Sequence, residues 1–294
     1  MNQPALKILV TGHNGQVAQA LHSALADMAE LTLLGRDQLD LAQPQLIAAR
    51  VRALRPDLII NAAAHTAVDQ AQSEPELAMA INGQAPGVLA QVAAELDIPL
   101  IHYSTDYVFD GSKATPWVED DVPHPLGVYG SSKLAGEQAI RAVGGKHLIL
   151  RTSWVYSLHG RNFLLTMQRL LPEKDELRVV DDQVGAPTWA GTIAQVTRQL
   201  IERWRDGQAG PWGTYHLTAL GHTSWHGFAT AIGEHLRAQG KPCAKVLPIP
   251  SSAYPTPAAR PLNSRLDCTR LQQEWQVRLP DWHDALNECL STPS

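Results

Sequence analysis

The sequence predicts an α/β protein built on a doubly wound parallel sheet, and three observations carry that expectation. Short apolar runs with a β-branched bias recur through the first half: Leu6–Val10, Leu31–Leu34, Leu58–Ile60, Leu100–Ile101 and Leu148–Leu150. Helix-length stretches separate them, the longest running from Glu76 to Leu96. A glycine-bearing turn follows the first run. Strands spaced by helices need crossover connections, and crossovers give parallel pairing.

The first run leads into Thr11-Gly12-His13-Asn14-Gly15-Gln16-Val17-Ala18 and then a helical pattern through Leu21 and Leu25. Strand, glycine turn and helix in this order form the dinucleotide-binding turn of a Rossmann-type fold. Gly12 permits the tight turn, Gly15 lets the backbone approach a pyrophosphate, and small Ala18 lets helix and strand pack closely. Free N–H groups at the helix start face the phosphates. Gly12, Gly15, Gln16 and Val17 are therefore candidate cofactor contacts.

The second strand ends at Gly35-Arg36-Asp37. A carboxylate here favours a ribose 2′-hydroxyl, whereas an arginine accommodates a 2′-phosphate. Arg36 points to NADPH, with NADH as a second acceptable cofactor, and Asp37 and Asp40 pull the other way. Asp40 and Leu41 continue this stretch as candidate cofactor contacts. The third strand, read as Leu58–Ala64, runs into Ala62, Ala63 and Ala64, where a flat ring could lie close to the backbone. The fourth, Pro99–Thr105, carries Tyr103 as a further cofactor candidate and ends in hydroxyls at Ser104 and Thr105. Another, Leu148–Trp154, ends at a tryptophan. Ligands in such sheets sit beyond the carboxyl ends of the strands, where Thr105, Asp106 and Trp154 fall.

Tyr129-Gly-Ser-Ser-Lys133 opens the next helical pattern. Residues four apart share a helical face. A free phenol titrates near 10, and a neighbouring ammonium in a partly desolvated cleft lowers that value. Tyr129 is thus a candidate proton donor and Lys133 its modulator.

Composition excludes several classes. Across 294 residues the net charge is −5, which gives no basic footprint for nucleic acid. No apolar run reaches a membrane span and no signal peptide precedes the first strand, so a cytoplasmic protein is expected. Cys243, Cys268 and Cys289 have neither metal-like nor redox spacing and read as reduced thiols.

Regular alternation weakens after about residue 157. Leu177–Val180 reads as a strand, Ala190–Trp204 and Ser224–Gln239 as helices with Ser224 a candidate N-cap, and Pro248–Pro261 as a proline-stiffened loop. The expectation is a dinucleotide-binding core over 1–157, able to recruit later segments, and a smaller substrate-binding lobe mainly over 158–294, interleaved with it.

Several blocks then match a family in order: Asn61–Asp69, His102-Tyr-Ser-Thr-Asp-Tyr-Val-Phe109, Arg151-Thr-Ser-Trp-Val-Tyr156, Asp182–Thr188, Ser252–Ala259 and Arg260-Pro-Leu-Asn-Ser-Arg265. With these blocks the chain resembles the extended short-chain dehydrogenase/reductases and, within them, the dTDP-4-dehydrorhamnose reductase family. The resemblance implies NAD(P)H-dependent reduction of a 4-keto dTDP-sugar in dTDP-L-rhamnose synthesis. It implies that Tyr129 is the general acid, that Lys133 holds the nicotinamide ribose, and that Thr105 hydrogen-bonds the carbonyl or alkoxide. It further implies that Asp106, Trp154, Asn263 and Arg265 contact the substrate.

Some members of that family bind magnesium through glutamates at a dimer interface. The first two matching positions here are Ala20 and Gly191, without hard oxygen ligands, so neither a metal nor a magnesium-linked dimer is expected. His216, His222 and His226 read as loop and helix-start histidines. Two other readings share the fold: a non-catalytic NADP-binding regulatory subunit resembling that of methionine adenosyltransferase, and a sugar-nucleotide epimerase or dehydratase. The set Thr105, Tyr129 and Lys133 argues against the first. Thr105 followed by Asp106-Tyr107, without an Asp-Glu pair, argues against a dehydratase.

Overall fold

The computed structural model describes residues 5–292. Five strands of the central sheet follow one another in the first half: β1 (Leu6–Thr11), β2 (Ala29–Leu34), β3 (Leu58–Asn61), β4 (Leu100–Thr105) and β5 (His147–Thr152). A sixth, Gly213–His216, comes from the second half and pairs with β5. The spatial order is sixth strand, β5, β4, β3, β1, β2, and every pair is parallel. The chain leaves β1 for β2 on one side and returns to β3 on the other. The crevice at the carboxyl ends of β1 and β3 is therefore the switch point, where this architecture binds ligands.

Both faces of the sheet are covered, which explains why its strands read as continuous apolar runs. The period of two sends Ile8, Val10, Leu58 and Ile60 to one face, against Leu21 and Leu25 of helix α1 (Gln16–Leu25) and Ile193 and Leu200 of helix Ala190–Arg205. Leu9, Ile59, Leu100 and Ile149 take the other face, against Val51, Leu89 and Ile140. A separate apolar cluster centres on Tyr156, Leu164, Phe228, Ile232 and Leu286. Around it lie the parallel pair Glu176–Val180 and Lys245–Ile249 and helices Phe163–Glu173 and Trp225–Ala238.

Three elements differ from the sequence expectation. β3 stops at Asn61, because Ala62–Ala64 turn away beneath the glycine loop. β5 stops at Thr152, because Trp154 takes a left-handed backbone with φ 49°. The long helical stretch is broken by a π-helical turn, Met79–Gln84, between Pro75–Ala78 and Ala85–Glu95. Its Asn82 is consumed at the turn: its oxygen accepts from His65 N, and its amide donates to His65 O and Ser132 Oγ. Helix Val128–Val143 packs hard on this turn, so a Cβ at Gly136 would fall 2.1 Å from the Asn82 carbonyl oxygen. That contact fixes the helix that carries Tyr129 and Lys133.

Candidate active site

A cleft of about 700 Å³ opens at the switch point. Gly12 sits at its floor with φ +86°, a conformation glycine adopts without strain. A Cβ there would come within 2.9 Å of Ala63 Cα, so the loops after β1 and β3 meet only because no side chain intervenes. Gly15 caps α1 with no side-chain cap, and no acidic residue stands in the first turn. The first N–H groups of α1 are left for an anion. This cradle fits a pyrophosphate.

Gly12, Gly15, Gln16, Val17, Arg36, Ala62, Ala63, Ala64 and Tyr103 all line the cleft. Arg36 is 76% exposed at its mouth and pairs loosely with Asp40 at 3.7 Å. Two expected cofactor contacts do not line it. Asp40 Oδ1 accepts from Ala42 N, capping its own turn, and its other oxygen accepts from Gln43. Leu41 is buried in the apolar cluster with Leu34, Leu39 and Ile47. Local capping claims Asp40 and core burial claims Leu41.

The reacting end lies where β4 meets helix Val128–Val143. Thr105 Oγ1 donates to Asp106 Oδ1 at 3.0 Å and accepts from Tyr107 N at 3.2 Å. Tyr129 stands beside it, edge-on to Tyr107. Burial pushes the Tyr129 phenol up to about 12, opposed by its hydrogen bond to Thr105 and reinforced by the nearby Asp106 charge. Lys133 is buried, and its ammonium donates to Tyr103 O at 2.7 Å. Burial brings it down to about 8, and Glu137 one turn along pulls it back up. The ammonium faces β4, within reach of Tyr103 O and His102 Nε2. A neutral phenol suits proton donation, since a secondary alkoxide is a stronger base than a phenolate.

Asp106 is 3% exposed and has one oxygen without a partner. Burial raises its carboxyl to about 6, held back by hydrogen bonds from Ser264 and Thr105. Trp154 lies face to face with Trp225 at 3.6 Å and covers Gly185, where a Cβ would strike the indole at 2.7 Å. A bulky residue in the left-handed region is uncommon and clusters at ligand sites. Trp225 also lines the cleft and has no local sequence signal, since only the tertiary fold brings it against Trp154.

Asn263 and Arg265 do not line the cleft, against expectation. Asn263 Nδ2 donates to Lys113 O and Thr115 O, and its oxygen accepts from Arg265 N and Nε. Arg265 reaches Ala114 O. Both clamp the 113–115 loop, and it is their neighbour Ser264 that touches Asp106.

Ala20 and Gly191 face a second groove, of about 570 Å³, between α1 and helix Ala190–Arg205. Among the described residues no group of three or more His, Cys, Asp or Glu could hold a metal ion. His216 is buried with Nδ1 on Asp267 O, whereas His226 faces Asp181. Among the described residues no helix is long and apolar enough to cross a membrane.

The family model for the RmlD substrate-binding domain matches residues 6–293. The chain belongs to the RmlD family. Its similarity to members of the family runs the full length: a dTDP-4-dehydrorhamnose reductase of Burkholderia thailandensis is 47% identical, covering 97% of this chain and 98% of its own. One from Escherichia coli K12 is 45% identical over 97% of each chain. Among solved structures, the dTDP-4-dehydrorhamnose reductase of Bacillus anthracis in complex with NADP superposes with a TM-score of 0.90 at 32% identity, covering 98% of this chain and 99% of that one. A UDP-glucose 4-epimerase of Thermus thermophilus, at 18% identity and a TM-score of 0.74, shares the fold alone.

Proposed function

We propose that this chain catalyses the NAD(P)H-dependent reduction of the C4 keto group of dTDP-4-dehydro-L-rhamnose to dTDP-L-rhamnose, the last step of dTDP-L-rhamnose synthesis. The observation that carries the reading is a neutral, buried Tyr129 phenol hydrogen-bonded to Thr105, in a cleft floored by the glycine cradle, within a chain of this family.

When bound, the reduced nicotinamide cofactor supplies the hydride. Gly12, Gly15 and the start of α1 hold the pyrophosphate, Ala62–Ala64 border the rings, and Arg36 meets a 2′-phosphate. Lys133 holds the nicotinamide ribose. Thr105 orients the ketone oxygen with its hydroxyl, which both donates and accepts. Tyr129 passes its proton to that oxygen as charge develops, which offsets the cost of forming an alkoxide in a desolvated cleft. Trp154, braced by Trp225, presents an apolar face to the sugar nucleotide, and Asp106 contacts its hydroxyls. Residues 5–157 with the strand Gly213–His216 and helix Ala190–Arg205 make the cofactor-binding core, and most of the described residues from 158 on make the lobe. The enzyme works in the cytoplasm without a divalent metal and without a magnesium-linked dimer.

The test is NADPH oxidation with dTDP-4-dehydro-L-rhamnose, with and without EDTA. Turnover unaffected by the chelator is expected. No turnover sinks the reductase reading, and loss on chelation restored by magnesium sinks the metal-free one.

A further inference from the structure

Behind the cleft a buried polar chain crosses three strands. Lys133 Nζ stands 3.2 Å from His102 Nε2, and His102 Nδ1 stands 2.9 Å from Asn61 Nδ2. As placed, Thr11 Oγ1 donates to Asn61 Oδ1 at 2.6 Å and accepts from Ala63 N at 3.2 Å. Thr11, Asn61 and His102 are each no more than 1% exposed. They come from β1, β3 and β4, three neighbouring strands, so sheet register alone brings them into line. The chain thus joins the loop under the glycine cradle to the lysine proposed to hold the ribose.

We infer that His102 is a positioning residue: its Nε2 lone pair accepts from the Lys133 ammonium and, together with the Tyr103 carbonyl, aims the remaining N–H of that lysine into the cleft. This rests on the functional reading above and adds to it a residue that touches neither cofactor nor substrate.

The proton inventory supports it. A neutral imidazole has one N–H, so His102 donates from one nitrogen and accepts at the other. The two ends of the Asn61 amide are nearly isosteric, so two self-consistent arrangements are open, one with the side chain turned over and one as placed. In the first, the Asn61 side chain is turned over so that its oxygen faces His102: the ammonium donates to Nε2, Nδ1–H donates to the Asn61 oxygen, and the Asn61 NH₂ donates to Thr11 Oγ1. In the second, with Asn61 as placed, its NH₂ donates to Nδ1, so Nε2–H points at Lys133, which must then be a neutral amine. The carbonyl of Tyr103 at 2.7 Å and the carboxylate of Glu137 one turn away both favour the ammonium. The other titratable groups near Lys133 are Tyr129 on its own helix, Tyr103 on β4 and Asp106 just beyond it; Asn82 and Ser132 are neutral. Burial and the ammonium itself keep His102 uncharged, well below its ordinary range, so its lone pair remains available. The first arrangement is therefore the one the site uses.

The tests read the cofactor and the imidazole separately from turnover. Long-range ¹H–¹⁵N NMR of histidine-labelled protein, with His102 assigned by loss of its signal in His102→Gln, should show the Nδ1–H tautomer at neutral pH. An Nε2–H tautomer overturns the inference. His102→Leu should weaken NADPH binding by about tenfold to a hundredfold, the range for losing a hydrogen bond to a charged group. His102→Gln, whose Oε1 can accept in place of Nε2, should recover most of that loss. Unchanged NADPH affinity in His102→Leu, or equal losses in both variants at equal thermal stability, would contradict it. If His102→Leu fails to fold, the tautomer and the His102→Gln affinity decide. Wild-type protein that binds no NADPH would instead refute the functional reading, so the two failures are distinguishable.

Discussion

The two walls of the cleft are built by different logic. On the cofactor side, one continuous stretch of chain does most of the work: β1, the glycine turn and the start of α1 lie within residues 6–17, and Ala62–Ala64 follow the adjacent strand. On the substrate side, Trp154 from beyond β5 meets Trp225 from a helix seventy residues on, and Asp106 meets Ser264 from the far end of the chain. Backbone geometry specifies the first wall, and side chains brought together by tertiary packing specify the second. Substitutions on the two sides should therefore separate cofactor affinity from substrate affinity and turnover.

The largest effect should come where the walls meet. Tyr129→Phe keeps the ring and removes the proton, so NADPH affinity should hold while kcat falls by about 10²–10⁴-fold. Stopped-flow turnover beside a cofactor titration checks this; near-normal turnover would remove Tyr129 from the chemistry.

Asp106 gives a stability signature. Its folded pKa, about 6, lies above the ordinary aspartate value of 3.8, so between these values the folded state binds the extra proton. Stability from this group is present at low pH and lost as pH rises through about 6. Asp106→Asn should thus be more stable than wild type at pH 8, on the order of 1–3 kcal/mol, with the gap closing toward pH 4. Melting curves across that range test it, and a gap that does not change with pH would show that Asp106 is ionised in the fold.

Trp225→Ala removes the indole that braces Trp154. KM for the sugar nucleotide should rise about tenfold, as expected for an aromatic pair plus lost apolar area, with little change in NADPH affinity. A matching loss of cofactor affinity would mean that the two walls do not act separately. Smallest is Arg36→Ala. The side chain is exposed, so about three- to tenfold weaker NADPH binding is expected, with NADH affected less. Equal losses measured by fluorescence titration would show that Arg36 does not read the 2′-phosphate.

The sequence made the cofactor side legible because its signals are local. A glycine that must adopt φ +86° and pack on Ala63 leaves its mark within a few residues of the strand it ends. Tyr129 and Lys133 share one helical face, so their spacing survives folding. Asp40, Leu41, Asn263 and Arg265 show the opposite. Each sits beside a functional stretch, but whether a side chain faces the cleft or clamps a loop depends on partners such as Lys113 O and Thr115 O, about 150 residues away. Trp225 and His102 were hidden for the same reason. One needs Trp154 opposite it, and the other needs three strands in register.

The central claim is that this cleft delivers hydride to C4 of the sugar while Tyr129 protonates the oxygen. The direct measurement is the position of label after turnover of dTDP-4-dehydro-L-rhamnose with NADPH carrying deuterium on the transferred position of its ring. Deuterium at C4 of the sugar, in product identified by NMR as dTDP-L-rhamnose, is the predicted result. Label at another carbon, an epimer at C4, or cofactor consumed without label in the sugar would contradict it.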